Sequence, residues 1–149
     1  MPRDGVGRRD PRGAPIFGRV RDDGIQAVLA SYEALNRGDI DGTVAVLAAD
    51  AEWHESQALP DAGVFRGRDA VREFLERFLE SWQEFHQEIE EVVVEGDRMA
   101  LMIHLTARGR GSGAEVDARY AHVWTLNDGE GVRVDAYEDR AAALRAIRP

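Results

Sequence analysis

The feature that most constrains the fold of this chain is a change in hydrophobic periodicity near Trp82. Before it, apolar residues recur at helical spacing, most clearly in a stripe formed by Val71, Phe74, Leu75, Phe78, Leu79 and Trp82. After it, β-rich runs follow one another as far as about Asp139. This order predicts an α+β fold in which helices cover one face of a sheet.

Three helices are predicted before the change. The first begins at Asp22 or Asp23 and ends at Gly38, the second covers roughly 40–48, and the third carries the apolar stripe. A short strand is expected over 51–55, and a short C-terminal helix over 141–147.

Four longer strands are predicted after the change, because glycine-containing turns separate four β-rich runs. The runs cover about 85–95, 99–108, 115–126 and 132–138. Such an order is typical of a curved antiparallel meander. A cone with a cavity between helices and sheet follows, and the glycines of 109–113 mark a hairpin tip rather than a phosphate-binding loop.

The charge of the chain is unevenly distributed. Residues 1–21 hold six arginines against two aspartates, so they carry +4, and the total of −9 leaves −13 for residues 22–149. The glycines and prolines of 1–21 predict a disordered leader, and 22–149 is expected to be one domain. A basic arm for nucleic acid would need interleaved aromatics, and the acidic domain would repel phosphates, so no nucleic-acid partner is expected.

Other classes are excluded by what the sequence lacks. It contains neither lysine nor cysteine, which rules out lysine imines and thiolate chemistry. No apolar run is long enough to span a bilayer, and a cytoplasmic location is expected. No nucleotide-binding motif is found, so no cofactor is implied. A metal site built from His54, His104, His122 and Glu55 has no supporting ligand spacing, and none is expected.

Five short segments carry a resemblance to a known family. They are YEALNRGD at 32–39, LAADAEW at 47–53, FRGRDAVREF at 65–74, HVWTLNDG at 122–129 and YEDR at 137–140. Together they resemble the SnoaL-like and ketosteroid-isomerase-like branch of the nuclear transport factor 2 (NTF2-like) superfamily over about 22–148. The resemblance implies an NTF2-like cone, a homodimer through the sheet, and a pocket for a small apolar molecule.

The same resemblance implies cofactor-independent proton transfer on an apolar carbonyl compound, of the isomerase, cyclase or dehydratase type. The alternative is a non-catalytic ligand-binding or dimerisation module, because this fold hosts both kinds of protein. In family members that isomerise ketosteroids, a carboxylate shuttles the proton, and its position falls on Glu55. Trp53, two residues earlier on the same strand face, would give Glu55 an apolar neighbour. The competing interpretation is that Glu55 is a solvated glutamate at the end of a strand.

The oxyanion-binding positions of those members match less well. In those members a tyrosine and a protonated aspartic acid bind the enolate oxygen. The tyrosine position falls on Ser31, with Tyr32 one residue later, and the position of the acid falls on Ala121. The orientation of strand 115–126 then decides what replaces them. Arg119 and Ala121 face the cavity if the family alignment holds.

If the strand has the opposite orientation, the cavity is lined instead by Tyr120, His122 and Trp124. For Arg119 there is a further alternative, in which it forms an ion pair with Asp117 or Asp135 across the sheet.

The sequence therefore predicts four catalytic residues. Glu55 is the general base, Arg119 stabilises an anion, and His122 or Tyr32 acts as a relay. His104, set among apolar residues, is interpreted as a packing residue. The predicted ligand-binding walls are Trp53, Phe65, Phe78, Trp82, Ala121 and Tyr137.

Overall fold

The computed structural model describes residues 17–55 and 63–148. These residues form four helices and six strands. In chain order they are α1 (Asp22–Asn36), α2 (Ile40–Val44), β1 (Leu47–His54), β2 (Val64–Arg66), α3 (Arg68–Glu80), β3 (Trp82–Glu95), β4 (Arg98–Gly109), β5 (Glu115–Asn127), β6 (Glu130–Tyr137) and α4 (Arg140–Ile147). The predicted α+β class is confirmed.

The strands form one six-stranded sheet in the order β2-β1-β6-β5-β4-β3. Strands β3 to β6 make the predicted antiparallel meander. The sheet is nevertheless mixed, because β1 pairs in parallel with β6. A pairing between strands so distant in sequence leaves no turn signal, so the sequence predicts the meander but not the parallel neighbour of β6.

Helices α1 and α3 pack on one face of the sheet, here called the inner face. Val28 of α1 and Val71 of α3 are fully buried in one apolar core with Leu101 of β4 and Val134 of β6. Each helix therefore buries the stripe that its periodicity predicts, except that Trp82, the last residue of the third stripe, begins β3. Gly38, in the left-handed region with φ of 76°, lets the chain turn from α1 into α2.

Helix α4 covers part of the opposite face, here called the outer face. Asp139 caps it by accepting a hydrogen bond from the backbone N–H of Ala142 at 2.9 Å. Its apolar side packs on alternate residues of β4 and β5 in an outer cluster of Ala100, Met102, Ala121, Val123, Ala143 and Ile147.

A β-bulge interrupts β3 between Ile89 and Glu91. Ile89 pairs with Ile103 and Glu91 pairs with Met102, so Glu90 is the extra residue. The bulge places two successive glutamates on the outer face. There Glu90 binds Arg119, and Glu91 binds Arg140 at 2.7 Å.

The predicted leader, 1–21, falls mainly outside the described residues. Its last five residues, 17–21, lie along the β3–β4 turn, where Val20 N–H donates to the Gly96 carbonyl at 2.9 Å and Phe17 N–H donates to Asp97 at 3.0 Å. These contacts join 17–21 to the domain, although the prediction assigns them to the leader. None of the helices in the described ranges has the length and apolarity that a bilayer crossing requires.

Candidate functional site

A cavity of about 400 Å³ lies between the inner face of the sheet and helices α1, α2 and α3. This size falls within the range of about 300–1,000 Å³ that is typical of small-molecule sites. Much of its wall is aromatic, and the rings come from Trp53, Phe74, Phe78, Trp82, Tyr120 and Trp124. A few polar side chains project among them, which is the usual arrangement for binding an apolar molecule in one orientation.

Strand β1 brings Trp53 and Glu55 to the cavity. Trp53 is 7% exposed, and its indole N–H donates to Oε1 of Glu55 at 2.9 Å. The backbone N–H of Glu55 donates to the carbonyl of Gly63 at 3.0 Å, which holds the chain just after β1. The structure thus places the carboxylate at the apolar wall, where the prediction put the general base.

Helix α1 and strand β5 contribute a buried chain of three polar groups. The indole N–H of Trp124 donates to the hydroxyl of Tyr32 at 2.9 Å, and that hydroxyl lies 2.6 Å from Nδ1 of His122. An indole can only donate, so the Tyr32 oxygen accepts from Trp124, and we assign the hydrogen of Tyr32 to Nδ1 of His122, the acceptor that the described residues offer it. Nδ1 is then an acceptor, so the proton of the neutral imidazole is on Nε2.

Burial determines the charge states of His122 and Tyr32. Desolvation lowers the pKa of His122 to about 3, so the ring is neutral near pH 7. Desolvation likewise raises the pKa of Tyr32 well above its usual value, although the Trp124 hydrogen bond acts in the opposite direction. The charge of Glu55 also raises the pKa of Tyr32. His122 is therefore a neutral ring near pH 7, and not a resident cation.

Strand β5 has the second of the two orientations that its sequence allows. Tyr120, His122 and Trp124 face the cavity, whereas Ala121 pairs with Met102 and is fully buried in the outer cluster. The structure thus corrects the prediction that Ala121 lines the cavity. The correction has a simple cause, because an offset of one residue in a strand exchanges its two faces.

Arg119 shares the outer face with Ala121. It is among the residues that border the cavity, but its guanidinium donates to both carboxylate oxygens of Glu90, at 2.9 and 3.3 Å, and its side chain is 64% exposed. The predicted anion-stabilising position of Arg119 is therefore corrected to a surface ion pair. The partner is Glu90, supplied by the bulge in β3, instead of Asp117 or Asp135.

The predicted ligand-binding residues divide into three groups. Trp53, Phe78 and Trp82 line the cavity, and Tyr137 borders it while also packing beside the outer cluster. Phe65 stacks on Phe74 with ring centroids 4.4 Å apart and does not itself reach the cavity. The prediction for Phe65 is corrected accordingly, since Phe74 covers it.

Gln87 is a polar cavity residue that the sequence analysis did not predict. It is 4% exposed on the inner face of β3, where its register partner is Leu105. The signal was present, because Phe85, Gln87 and Ile89 alternate along one strand face and only the middle one is polar. A polar residue in an inward-facing set is a candidate for ligand contact.

The remaining histidines are directed elsewhere. His54 Nε2 lies 2.8 Å from Glu52 on the other side of β1, and His104 Nε2 lies 2.7 Å from Asp117 on the outer face. His104 is thus paired with a carboxylate on the outer face, which corrects its interpretation as a residue packed among apolar neighbours. Within the described ranges, the ligand-type side chains that do converge are Glu88, Glu90 and His104, on the solvent side of the sheet.

Comparison with known proteins identifies the family. The SnoaL-like domain family matches residues 28–134. Comparison with curated proteins finds no match. Among solved structures, an NTF2-like protein of unknown function from Burkholderia pseudomallei is 25% identical, with a TM-score of 0.73 over 87% of this chain and 100% of that one.

Two more distant structures share the fold. A putative SnoaL-like polyketide cyclase from Jannaschia is 20% identical, with a TM-score of 0.71 over 95% of this chain and 99% of its own. A Mycobacterium tuberculosis protein in complex with estradiol-17β-hemisuccinate is 19% identical, with a TM-score of 0.67 over 81% and 97%. The family match and the shared architecture confirm the resemblance seen in the sequence. The chain therefore belongs to the SnoaL-like domain family, in the NTF2-like superfamily.

Proposed function

We propose that this protein binds a small, largely apolar carbonyl compound in the cavity and moves a proton between two of its carbon atoms. The observation that carries the proposal is the placement of two complementary groups beside one indole. Trp53 holds the carboxylate of Glu55 through its N–H, and its ring lies edge-on to His122 with centroids 5.2 Å apart. A base and a neutral hydrogen-bond donor thus meet in one apolar space.

In the proposed reaction, Glu55 removes a proton from the carbon next to the carbonyl group. Negative charge develops on the carbonyl oxygen, and Nε2–H of His122 donates a hydrogen bond to it. Glu55 then returns the same proton to a second carbon, so the substrate is isomerised and the protein is unchanged. Tyr32 positions His122, because its hydroxyl keeps Nδ1 as the acceptor and the proton on Nε2.

The relatives support the substrate class. The Jannaschia protein carries the description of a polyketide cyclase, and the mycobacterial protein holds a steroid ester. Both compound types combine an apolar carbon skeleton with a few oxygen atoms, which is what an aromatic cavity with few polar groups can accept. The same chemistry covers isomerase, cyclase and dehydratase reactions, since each begins with removal of a proton beside a carbonyl group.

The test uses 2-tetralone, an apolar bicyclic ketone whose acidic carbon–hydrogen bonds exchange in heavy water. We expect the wild-type protein to accelerate this exchange, as followed by proton NMR. Glu55→Gln should lower the rate about 10²–10⁴-fold, the usual contribution of a general base. Its affinity for the ketone should stay close to that of the wild type.

Glu52→Gln is the matched control, because Glu52 lies on β1, three residues before Glu55, but pairs with His54 on the opposite side. Its exchange rate should equal that of the wild type. If exchange survives in Glu55→Gln, Glu55 is not the base. If the wild-type protein binds the ketone and does not exchange it, the alternative of a non-catalytic binding module is correct.

Homodimerisation through the sheet and a cytoplasmic location stay predictions. The outer face of β3, β4 and β5 carries cross-strand polar pairs, including Glu90–Arg119 and His104–Asp117. A dimer formed through this face would bury these side chains. Light scattering coupled to gel filtration measures the mass in solution and tests the expected dimer.

A further inference from the structure

Gln87 and Tyr120 form a polar pair on the inner face of the sheet. Nε2 of Gln87 donates to the hydroxyl of Tyr120, and both residues line the cavity. Their positions follow from the sheet register, since Gln87 faces Leu105 and Tyr120 faces Ile103 on β4. The pair is separate from the Tyr32–His122 chain but close to it, because the rings of Tyr120 and His122 are 5.3 Å apart.

The pair has hydrogen-bonding capacity that the described part of the chain does not use. Oε1 of Gln87 is buried and accepts from no described residue. Tyr120 accepts from Gln87, and its own hydrogen is donated to no described residue. Buried polar groups are nearly always paired, so one free acceptor beside one free donor indicates a place for a polar group of a ligand.

The backbone holds Gln87 in position. Strand β3 is at the edge of the sheet, and the side-chain amide of Asn36, at the end of α1, takes the place of a neighbouring strand. Asn36 Oδ1 accepts from the Gln87 N–H at 2.8 Å, and Asn36 Nδ2 donates to the Gln87 carbonyl at 2.9 Å. The backbone of Gln87 is thereby held by β4 on one edge and by Asn36 on the other. A side chain on a backbone held in this way is well placed to contact a ligand.

We propose that the Gln87–Tyr120 pair binds a hydroxyl group of the ligand. This inference rests on the proposed function, in which the cavity binds a small apolar molecule. A hydroxyl both donates and accepts, so it can give its hydrogen to Gln87 Oε1 and accept the hydrogen of Tyr120. A ketone or an ether can only accept, and leaves Oε1 unpaired.

A soft side-chain torsion allows this contact. Oε1 is itself covered, so pairing requires a partial rotation of the carboxamide about its terminal bond, a torsion with a broad range, while Nε2 keeps its hydrogen bond to Tyr120. The ligand class is therefore an apolar carbonyl compound that also carries an alcohol, phenol or enol hydroxyl. Its carbonyl group would be at Glu55 and His122, and its hydroxyl at Gln87 and Tyr120.

The test compares three probes of nearly equal shape: 2-naphthol, 2-methoxynaphthalene and naphthalene. Titration calorimetry on the full chain should give a Kd for 2-naphthol roughly tenfold lower than for either other compound. This comparison uses the wild-type protein alone, so it does not depend on whether any variant folds. Equal affinities for the three probes would overturn the hydroxyl site and leave the proposed function standing.

Two variants locate the effect. Gln87→Met retains an unbranched chain without the amide, and Tyr120→Phe removes only the hydroxyl, so each should lose the preference for 2-naphthol. Gln83→Met is the matched control, because Gln83 lies on the same strand and is exposed. Retention of the preference in both site variants would overturn the assignment. Failure of the wild-type protein to bind any of the three probes would overturn both this inference and the proposed function.

Discussion

The hydroxyl of Tyr32 and Nδ1 of His122 are 2.6 Å apart although the residues are separated by 90 positions in the chain. One comes from a helix and the other from a central strand, so their contact ties α1 to the sheet at the point where the cavity opens between them. A third group, the indole N–H of Trp124, completes the chain at 2.9 Å. Each of the three groups depends on another for its hydrogen bond.

Removing the central hydroxyl should therefore be costly. Tyr32→Phe retains the ring but leaves the Trp124 donor and the His122 acceptor without their partner. We expect the free energy of unfolding to fall by about 1–3 kcal/mol, the cost of leaving a buried polar group unsatisfied. Urea denaturation at pH 7 measures the change. An unfolding free energy equal to that of the wild type would show that the buried chain is not formed in solution.

Stability should fall with acid through His122. Its pKa is about 3 in the folded protein and near 6.5 when exposed, so the unfolded chain binds the extra proton between these values. Above pH 6.5 the ring is neutral in both states, so its titration leaves the free energy of unfolding unchanged. As the pH falls from 6.5 toward 3, the free energy of unfolding decreases by roughly 1.4 kcal/mol per pH unit through this residue.

The check is the slope of unfolding free energy against pH in the wild-type protein and in His122→Gln, because other groups contribute equally to both. The variant should have the shallower slope. His86→Gln, at an exposed position on β3, is the control and should keep the wild-type slope. Parallel slopes in all three proteins would mean that His122 is not buried in its neutral form.

Arg119 should be dispensable for the cavity. Its guanidinium is paired with Glu90 on the outer face, and exposed pairs of this kind contribute little to stability. Arg119→Gln is expected to leave the affinity for 2-tetralone and the exchange rate unchanged, with a small loss of stability that high salt abolishes. A large loss of turnover with unchanged folding would show that the Arg119 guanidinium does take part in the reaction.

Gly131 should not accept a side chain. A Cβ atom at this position would meet Cζ3 of Trp124 at 2.5 Å and Cε3 at 2.7 Å, and that ring is buried. Gly131→Ala is expected to destabilise the protein by about 1–3 kcal/mol, as overpacking of a core does. Displacement of Trp124 should also weaken ligand binding, because its N–H belongs to the Tyr32 chain.

Gly18→Ala is the matched substitution for thermal unfolding, since a Cβ atom there meets nothing within 4 Å. Its midpoint should stay near that of the wild type. Equal effects of the two substitutions would contradict close packing of Trp124 against Gly131.

Much of the fold could be predicted from the sequence, because its signals are local. The stripe from Val71 to Leu79 and the turn at Gly38 specify helices through residues that are neighbours in the chain. The parallel pairing of β1 with β6 could not be predicted in this way, since neither strand carries a signal for the other.

The candidate site was harder to predict from the sequence, also because its residues are brought together by contacts between distant parts of the chain. The orientation of β5 depends on register, and an alignment offset of one residue places Arg119 and Ala121 in the cavity instead of Tyr120 and His122. The ion pair of Arg119 depends in turn on a bulge that adds Glu90 to the outer face. Glu55 and Trp53 were identified correctly as neighbours because two residues on one strand share a face whatever the register.

The hydrogen bonds between Asn36 and the backbone of Gln87 also bear on how the protein avoids aggregation. Strand β3 is 14 residues long and forms an edge of the sheet, where free backbone groups could template the addition of a foreign strand. Near its middle, the amide of Asn36 occupies the N–H and the carbonyl that an incoming strand would need. A single asparagine at the end of a helix thus protects the edge at a residue that also lines the cavity, so loss of Asn36 would both loosen the site and open the edge to strand addition.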